Sequence, residues 1–128
     1  MNIEHLKNQK VLYVEDDVAI MSSFSKILQK VFGEVITAVN GKEGLELFKK
    51  NLDTSFIITD IKMPKMDGLD MVKEIKTINP KVPCILTTAH GEYDYFLRAD
   101  EVGVYRYIQK PINISELLKS ISEYKPER

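Results

Sequence analysis

Short apolar runs alternate with helix-like patterns along this chain, and each run ends on polar residues. Lys10-Val11-Leu12-Tyr13-Val14 is the first run, and it stops abruptly at Glu15-Asp16-Asp17. A run that is apolar at consecutive positions suits burial on both faces, as in a parallel strand covered by helices. The next segment puts Ile20, Phe24, Ile27, Leu28 and Val31 on one helical face and predicts a helix closed by Gly33 as its C′ residue. Glu34 to Val39 reads as a second strand. Asn40-Gly41 makes a turn, and Leu45, Leu47 and Phe48 follow in a helical context, so strand–turn–helix is preferred over a hairpin.

The alternation continues to the C-terminus. Ser55 to Thr59 is a third strand that runs into Asp60, and the loop Ile61 to Gly68 leads into a helix carrying Leu69, Val72, Ile75 and Ile78. Pro80 and Pro83 close that helix and restrict entry to a fourth strand, Cys84 to Thr88. A helix from Glu92 to Val102 ends at Gly103, and a fifth strand covers Tyr105 to Gln109. Asn113 with Glu116 resembles a capping box ahead of a helix bearing Leu117, Leu118 and Ile121. The tail from Tyr124 to Arg128 is polar and is expected to fray. Strands alternating with helices in this way predict an α/β fold, an open doubly wound sheet with helices on both faces. Such sheets bind ligands beyond the carboxyl ends of their strands, where the strand order reverses.

Composition narrows the class. A length of 128 residues makes one domain over 1–128 the expectation, long enough to bury a core without staples. Hydrophobic residues at 44% and charged residues at 29% are ordinary for a globular chain, which argues against disorder. Eighteen basic against nineteen acidic residues leave a net charge of −1, so direct nucleic-acid binding is disfavoured. The sequence has neither a membrane-length apolar run nor a signal-peptide core near its start, and its one cysteine, Cys84, permits no internal disulfide. A cytoplasmic location without membrane association is therefore the expectation.

The chemical signal lies at the strand ends. Glu15, Asp16 and Asp17 follow the first strand, Asp60 the third, Thr88 ends the fourth and Lys110 follows the fifth. If the strands are parallel neighbours, carboxylates, a hydroxyl and an ammonium converge at one sheet edge. Converging carboxylates repel one another unless a cation or protons offset the repulsion. Hard oxygen ligands without His or Cys select Mg²⁺, and the addition of Lys and Thr suits a phosphoryl group. Each residue alone has an ordinary alternative. A lone acid after a strand is usually a helix cap or a solvated charge, and Asp17 beside a helix start fits that description. A Thr ending a buried strand is more often structural, and a lone Lys-Pro is common.

Val11-Leu12-Tyr13-Val14-Glu15-Asp16-Asp17, then Asp60-Ile61-Lys62-Met63-Pro64 with Asp67-Gly68, then Thr88-Ala89 and Tyr107-Ile108-Gln109-Lys110-Pro111 carry a family likeness in their order and spacing. Together they resemble the receiver domain of two-component response regulators over about residues 10–124. The resemblance implies a flavodoxin-like (βα)5 three-layer sandwich with strand order 2-1-3-4-5. It implies Asp60 as phosphoacceptor, and Mg²⁺ held by Asp16, Asp60 and the Lys62 backbone carbonyl, with Glu15 acting through water. Thr88 and Lys110 would contact the phosphoryl group, Tyr107 would be the switch aromatic, and the Lys110-Pro111 peptide would be cis. Lys62 and His90 match positions linked to the rate of phosphoryl loss, although His90 reads equally as a solvated loop histidine. The implied donor is a cognate histidine kinase or phosphotransfer protein. The implied output is a downstream effector or a self-dimer through the fourth helix, fifth strand and fifth helix.

Three rival classes are weaker. A Mg²⁺-dependent phosphatase using an aspartyl phosphate would carry a second Asp two residues after the nucleophile, where this chain has Lys62. A flavin carrier would need a Gly/Ser/Thr cradle after the first strand, where this chain has Glu15-Asp16-Asp17-Val18. A phosphate-blind interaction module would have no need of the whole residue set. Either a separate protein partner or further chain beyond Arg128 would supply the output.

Overall fold

The computed structural model describes residues 2–89 and 95–126. Five parallel strands, β1 (Lys10–Val14), β2 (Glu34–Ala38), β3 (Phe56–Asp60), β4 (Cys84–Thr88) and β5 (Arg106–Gln109), form one sheet in the order β2-β1-β3-β4-β5. Helices α1 (Val18–Gln29), α2 (Gly41–Lys50), α3 (Gly68–Ile78), α4 (Tyr95–Val102) and α5 (Ile114–Ser122) connect and follow them. This is the doubly wound, flavodoxin-like α/β fold that the sequence implies.

The alternation of side chains along β1 explains why both faces need cover. Leu12 and Val14 join Ile57, Leu86, Phe48, Leu69, Val72 and Ala99 in one buried cluster, on the side of α2, α3 and α4. Val11 and Tyr13 join Ile58, Ile85, Ile108, Phe24, Leu28, Leu117 and Ile121 in the other, on the side of α1 and α5. Each of α1, α2, α3 and α5 starts behind a capping side chain. Asp17, Asn40, Asp67 and Asn113 accept from the N–H groups of Ile20, Glu43, Asp70 and Glu116 at 2.8–3.0 Å. These caps satisfy helix N–H groups that have no partner inside the helix, so each helix begins soon after the loop that precedes it.

Several local expectations need correcting. Gly33 does not cap α1, which ends at Gln29 with Lys30 as its cap. Gly33 instead lets the chain pass against the Lys7 carbonyl, where a Cβ would collide. That contact belongs to a 3-10 helix, Glu4–Asn8, which buries Leu6 completely. Ile20 and Ile78 are 39% and 41% exposed and stand at the rims of their helices rather than in the core. The tail is not frayed at its start. Tyr124 stacks edge-on against Phe56 and Tyr105, and its hydroxyl donates to the Lys81 carbonyl at 3.1 Å. The expected start of the fourth helix at Glu92 lies outside the described residues. None of the described helices is long and apolar enough to cross a membrane.

Candidate functional site

Strand register sets the site. Val14 pairs with Thr59, so Glu15, the next residue, comes level with Asp60. This is the edge where the strand order reverses between β1 and β3, and Asp60 in turn pairs with Thr87 on β4. Carboxylate oxygens of Glu15, Asp16 and Asp60 lie within 4.8 Å of one another. Lys110 continues β5 by donating its N–H to the Thr88 carbonyl at 2.7 Å. Its Nζ then stands 3.0 Å from Asp60 Oδ2 and 3.1 Å from Glu15 Oε1. The Lys110-Pro111 peptide is cis.

The loop after Asp60 is drawn in tightly. Thr59 donates its hydroxyl to the Asp60 carbonyl at 2.8 Å, and the Gly68 N–H donates to Ile61 O at 2.7 Å. A Cβ on Gly68 would overlap the Asp60 carbonyl oxygen, so only glycine fits at the start of α3. Lys62 sits just past Asp60 with an exposed side chain.

Burial dominates the electrostatics. Glu15 is 1% exposed and Asp60 8%, yet both carry carboxylates. Burial pushes the Asp60 carboxyl above its ordinary range, against the pull of Lys110 and the Ile61 N–H, and the Asp16 charge adds to the rise. Burial raises Glu15 as well, with Asp60 adding and the Asp17 N–H and Lys110 opposing. Burial works against the Lys110 ammonium, but its hydrogen bond and charge attraction to Asp60, reinforced by Glu15, raise it overall. Of the three clustered carboxylates, Glu15 and Asp60 share the Lys110 ammonium, and Glu15 Oε1 is buried without an aligned hydrogen-bond donor. A hard-oxygen donor set short of positive charge, with no His or Cys in it, fits Mg²⁺.

Asp17 caps α1, the ordinary role already open to it. Thr88 ends β4, 4% exposed, one residue beyond the partner of Asp60. Tyr107 does not join the acid cluster by its polar end. Its hydroxyl donates to Asp100 Oδ1 on α4 at 2.5 Å. His90 lies outside the described residues. Sequence reading missed Asp100, and Arg98 beside it, because their partners are set by packing between elements and leave no local motif.

Residues 11–122 match the model of the response regulator receiver domain. The chain belongs to that family. Sporulation initiation phosphotransferase F of Bacillus subtilis (strain 168) is 29% identical over 121 residues, covering 94% of this chain and 97% of that protein. A receiver domain protein from Clostridium thermocellum is 35% identical with a TM-score of 0.81, over 89% of this chain and 91% of that one. The CheX-CheY-BeF3-Mg complex from Borrelia burgdorferi is 25% identical with a TM-score of 0.79, over 88% and 86%. This receiver also spans 25–26% of the length of several curated transcriptional regulators that it matches.

Proposed function

We propose that this receiver domain is a phosphorylation-controlled switch in which Asp60 accepts a phosphoryl group from the phosphohistidine of a cognate kinase or phosphotransfer protein. The observation that carries the reading is the cluster itself, three carboxylates within 4.8 Å with the Lys110 ammonium 3.0 Å from Asp60. Without a cation to offset the surplus negative charge, burying Glu15 and Asp60 side by side is costly.

In transfer, an Asp60 carboxylate oxygen attacks phosphorus and the P–N bond breaks. The electron pair leaves on the imidazole nitrogen, which takes up a proton, and Asp60 becomes an acyl phosphate. Mg²⁺ held by Asp16, Asp60 and the Lys62 carbonyl, with Glu15 acting through water, would neutralise charge on the phosphoryl oxygens. Lys110 supplies the fixed positive charge opposite, and Thr88 offers a hydroxyl to the phosphoryl group. Movement of Thr88 gives Tyr107 room to turn inward, which changes the face of α4, β5 and α5 where an effector or a second copy would dock. Lys62 tunes the lifetime of the acyl phosphate by standing over the water's approach, and His90 lies at a second such position. The Borrelia burgdorferi complex, with BeF3 and Mg in a related chain, supports this reading, since beryllofluoride imitates an aspartyl phosphate. So does the sporulation phosphotransferase, matched over nearly its whole length. The domain is a switch rather than a turnover enzyme, and a cytoplasmic setting with no membrane or nucleic-acid contact of its own goes with it.

Intact mass after treatment with acetyl phosphate and Mg²⁺ tests the acceptor. The parent gains one phosphoryl group and Asp60→Asn gains none. Equal labelling of that variant would move the acceptor elsewhere, with Asp16 the next candidate.

A further inference from the structure

Helix α4 is held by polar ties more than by burial. Of its described side chains only Ala99 is fully buried, and Leu97 is 76% exposed. The residues flanking Ala99 reach in opposite directions. Arg98 pairs with Asp70 at 3.0 Å and Asp67 at 3.7 Å on the α3 side. Asp100 accepts the Tyr107 hydroxyl from β5 at 2.5 Å. An O–H donating to a carboxylate at this distance is the short, charge-assisted kind of hydrogen bond.

We propose that Asp100 is a positioning residue for Tyr107, holding its phenol against α4 so that the ring turns toward Thr88 only when that bond is broken. The proposal rests on the reading of Tyr107 as the switch aromatic. It adds the element that sets the resting bias of that switch. Burial first, and then the Asp100 hydrogen bond and charge, push the Tyr107 phenol up to about 12, so it remains a donor throughout the neutral range. Asp100 itself is exposed and is solvated whether or not the bond is made. The contact therefore acts on the rotamer of Tyr107 without being needed to fold the domain. Breaking it lowers the energy of the inward state relative to the resting one. Any ligand that favours the inward state then binds more tightly, by the same factor as the rise in that state's population.

The test uses 3-fluorotyrosine-labelled protein and fluorine NMR, with the Tyr107 signal assigned through Tyr107→Phe. Asp100→Ala should move that signal toward the position beryllofluoride produces in the parent. Its apparent beryllofluoride affinity in Mg²⁺ should rise about threefold to tenfold. Asp100→Asn keeps an acceptor oxygen but loses the charge, and should fall between parent and Asp100→Ala. A general loss of packing would instead shift every tyrosine signal and the urea midpoint, and Asn would give no rescue. An unmoved Tyr107 signal with unchanged affinity in Asp100→Ala overturns the proposal. If beryllofluoride leaves the parent's Tyr107 signal unmoved while Asp100→Ala shifts it, the positioning contact stands and the switch reading of Tyr107 fails.

Discussion

The two ends of the sheet each set a lysine among acids, and they behave in opposite ways. At the amino ends of the strands, Lys10 Nζ stands 2.9 Å from Asp53 and 3.8 Å from Glu34, and donates to Asn51 at 3.1 Å. At the carboxyl ends, Lys110 Nζ stands 3.0 Å from Asp60 and 3.1 Å from Glu15. The shorter contact at each end is nearly the same, 2.9 Å against 3.0 Å, and the solvent differs completely. The side chains of Asp53 and Glu34 are 72% and 59% exposed, whereas those of Asp60 and Glu15 are 11% and 1% exposed. Lys10 accordingly holds the Asp53 carboxyl below its usual range. Burial leaves the Asp60 carboxyl above its usual range despite an equally close ammonium. An ion pair that water can solvate is satisfied as it stands; the same pair buried with surplus negative charge is poised for a cation. Proximity alone does not mark a site.

Removing each lysine breaks the comparison most sharply. Lys110→Ala leaves Glu15 and Asp60 buried with no ammonium, and should lower stability in metal-free buffer by about 3 kcal/mol. Mg²⁺ should restore much of that loss, because the same carboxylates then meet a different cation. Lys10→Ala leaves its acids in water, and should cost only a small fraction as much, with no response to Mg²⁺. Urea midpoints with and without Mg²⁺ measure both. Equal losses at the two ends would show that burial is not what distinguishes them.

The next effect is the pH dependence of the metal-free protein. A carboxyl raised in the folded state binds protons before the unfolded chain does. Its contribution to stability is therefore fully present below the unfolded value, near 4, and is lost as pH rises through the folded value. Asp60 and Glu15 should thus make the metal-free domain more stable as pH falls from neutral toward the ordinary carboxylate range. Asp53, lowered by Lys10, has the opposite sign, and its contribution disappears as pH falls through its depressed value. Asp60→Asn should flatten the rise and add on the order of 1 kcal/mol at neutral pH. Denaturation from pH 7.5 to 5 in chelator reads this; a stability that falls steadily over that range in the parent would contradict it.

Much of this contrast was legible in the sequence, and some was not. The carboxyl-end site announces itself because each strand is a short apolar run ending on a polar residue, and a parallel sheet gathers all those ends at one edge. Glu15, Asp16, Asp60 and Lys110 could be brought together on paper for that reason. The amino-end cluster has no such sign. Lys10, Glu34 and Asp53 precede or begin strands where charged residues are ordinary, and they meet only through the register of Lys10 beside Glu34 and the contact of Asp53 with Lys10 from the segment before β3. Asp100 was hidden for a similar reason, since its bond to Tyr107 depends on how α4 lies over β5. A helix-ending rule misleads at Gly33, because close passage of the Lys7 carbonyl is what requires that glycine. The polarity of the tail conceals Tyr124, one aromatic that completes a stack with Phe56.

The smallest effect separates the two ends by salt. Exposed charges are screened with a Debye length of about 8 Å at physiological ionic strength and about 3 Å at 1 M. Ions reach the Lys10 cluster directly, since its acids face water. High salt should therefore erase the slight difference between Lys10→Ala and the parent. At the carboxyl end, Glu15 and most of Asp60 are closed to ions, so screening acts only from outside. The deficit of Lys110→Ala should persist in 1 M NaCl, somewhat reduced because monovalent cations gather over the exposed Asp16. Urea midpoints of parent and both variants at low and high NaCl, all in chelator, supply the measurement. Loss of both deficits together would mean that water and ions penetrate the acid cluster as freely as the surface pair, and that burial of Glu15 does not isolate it.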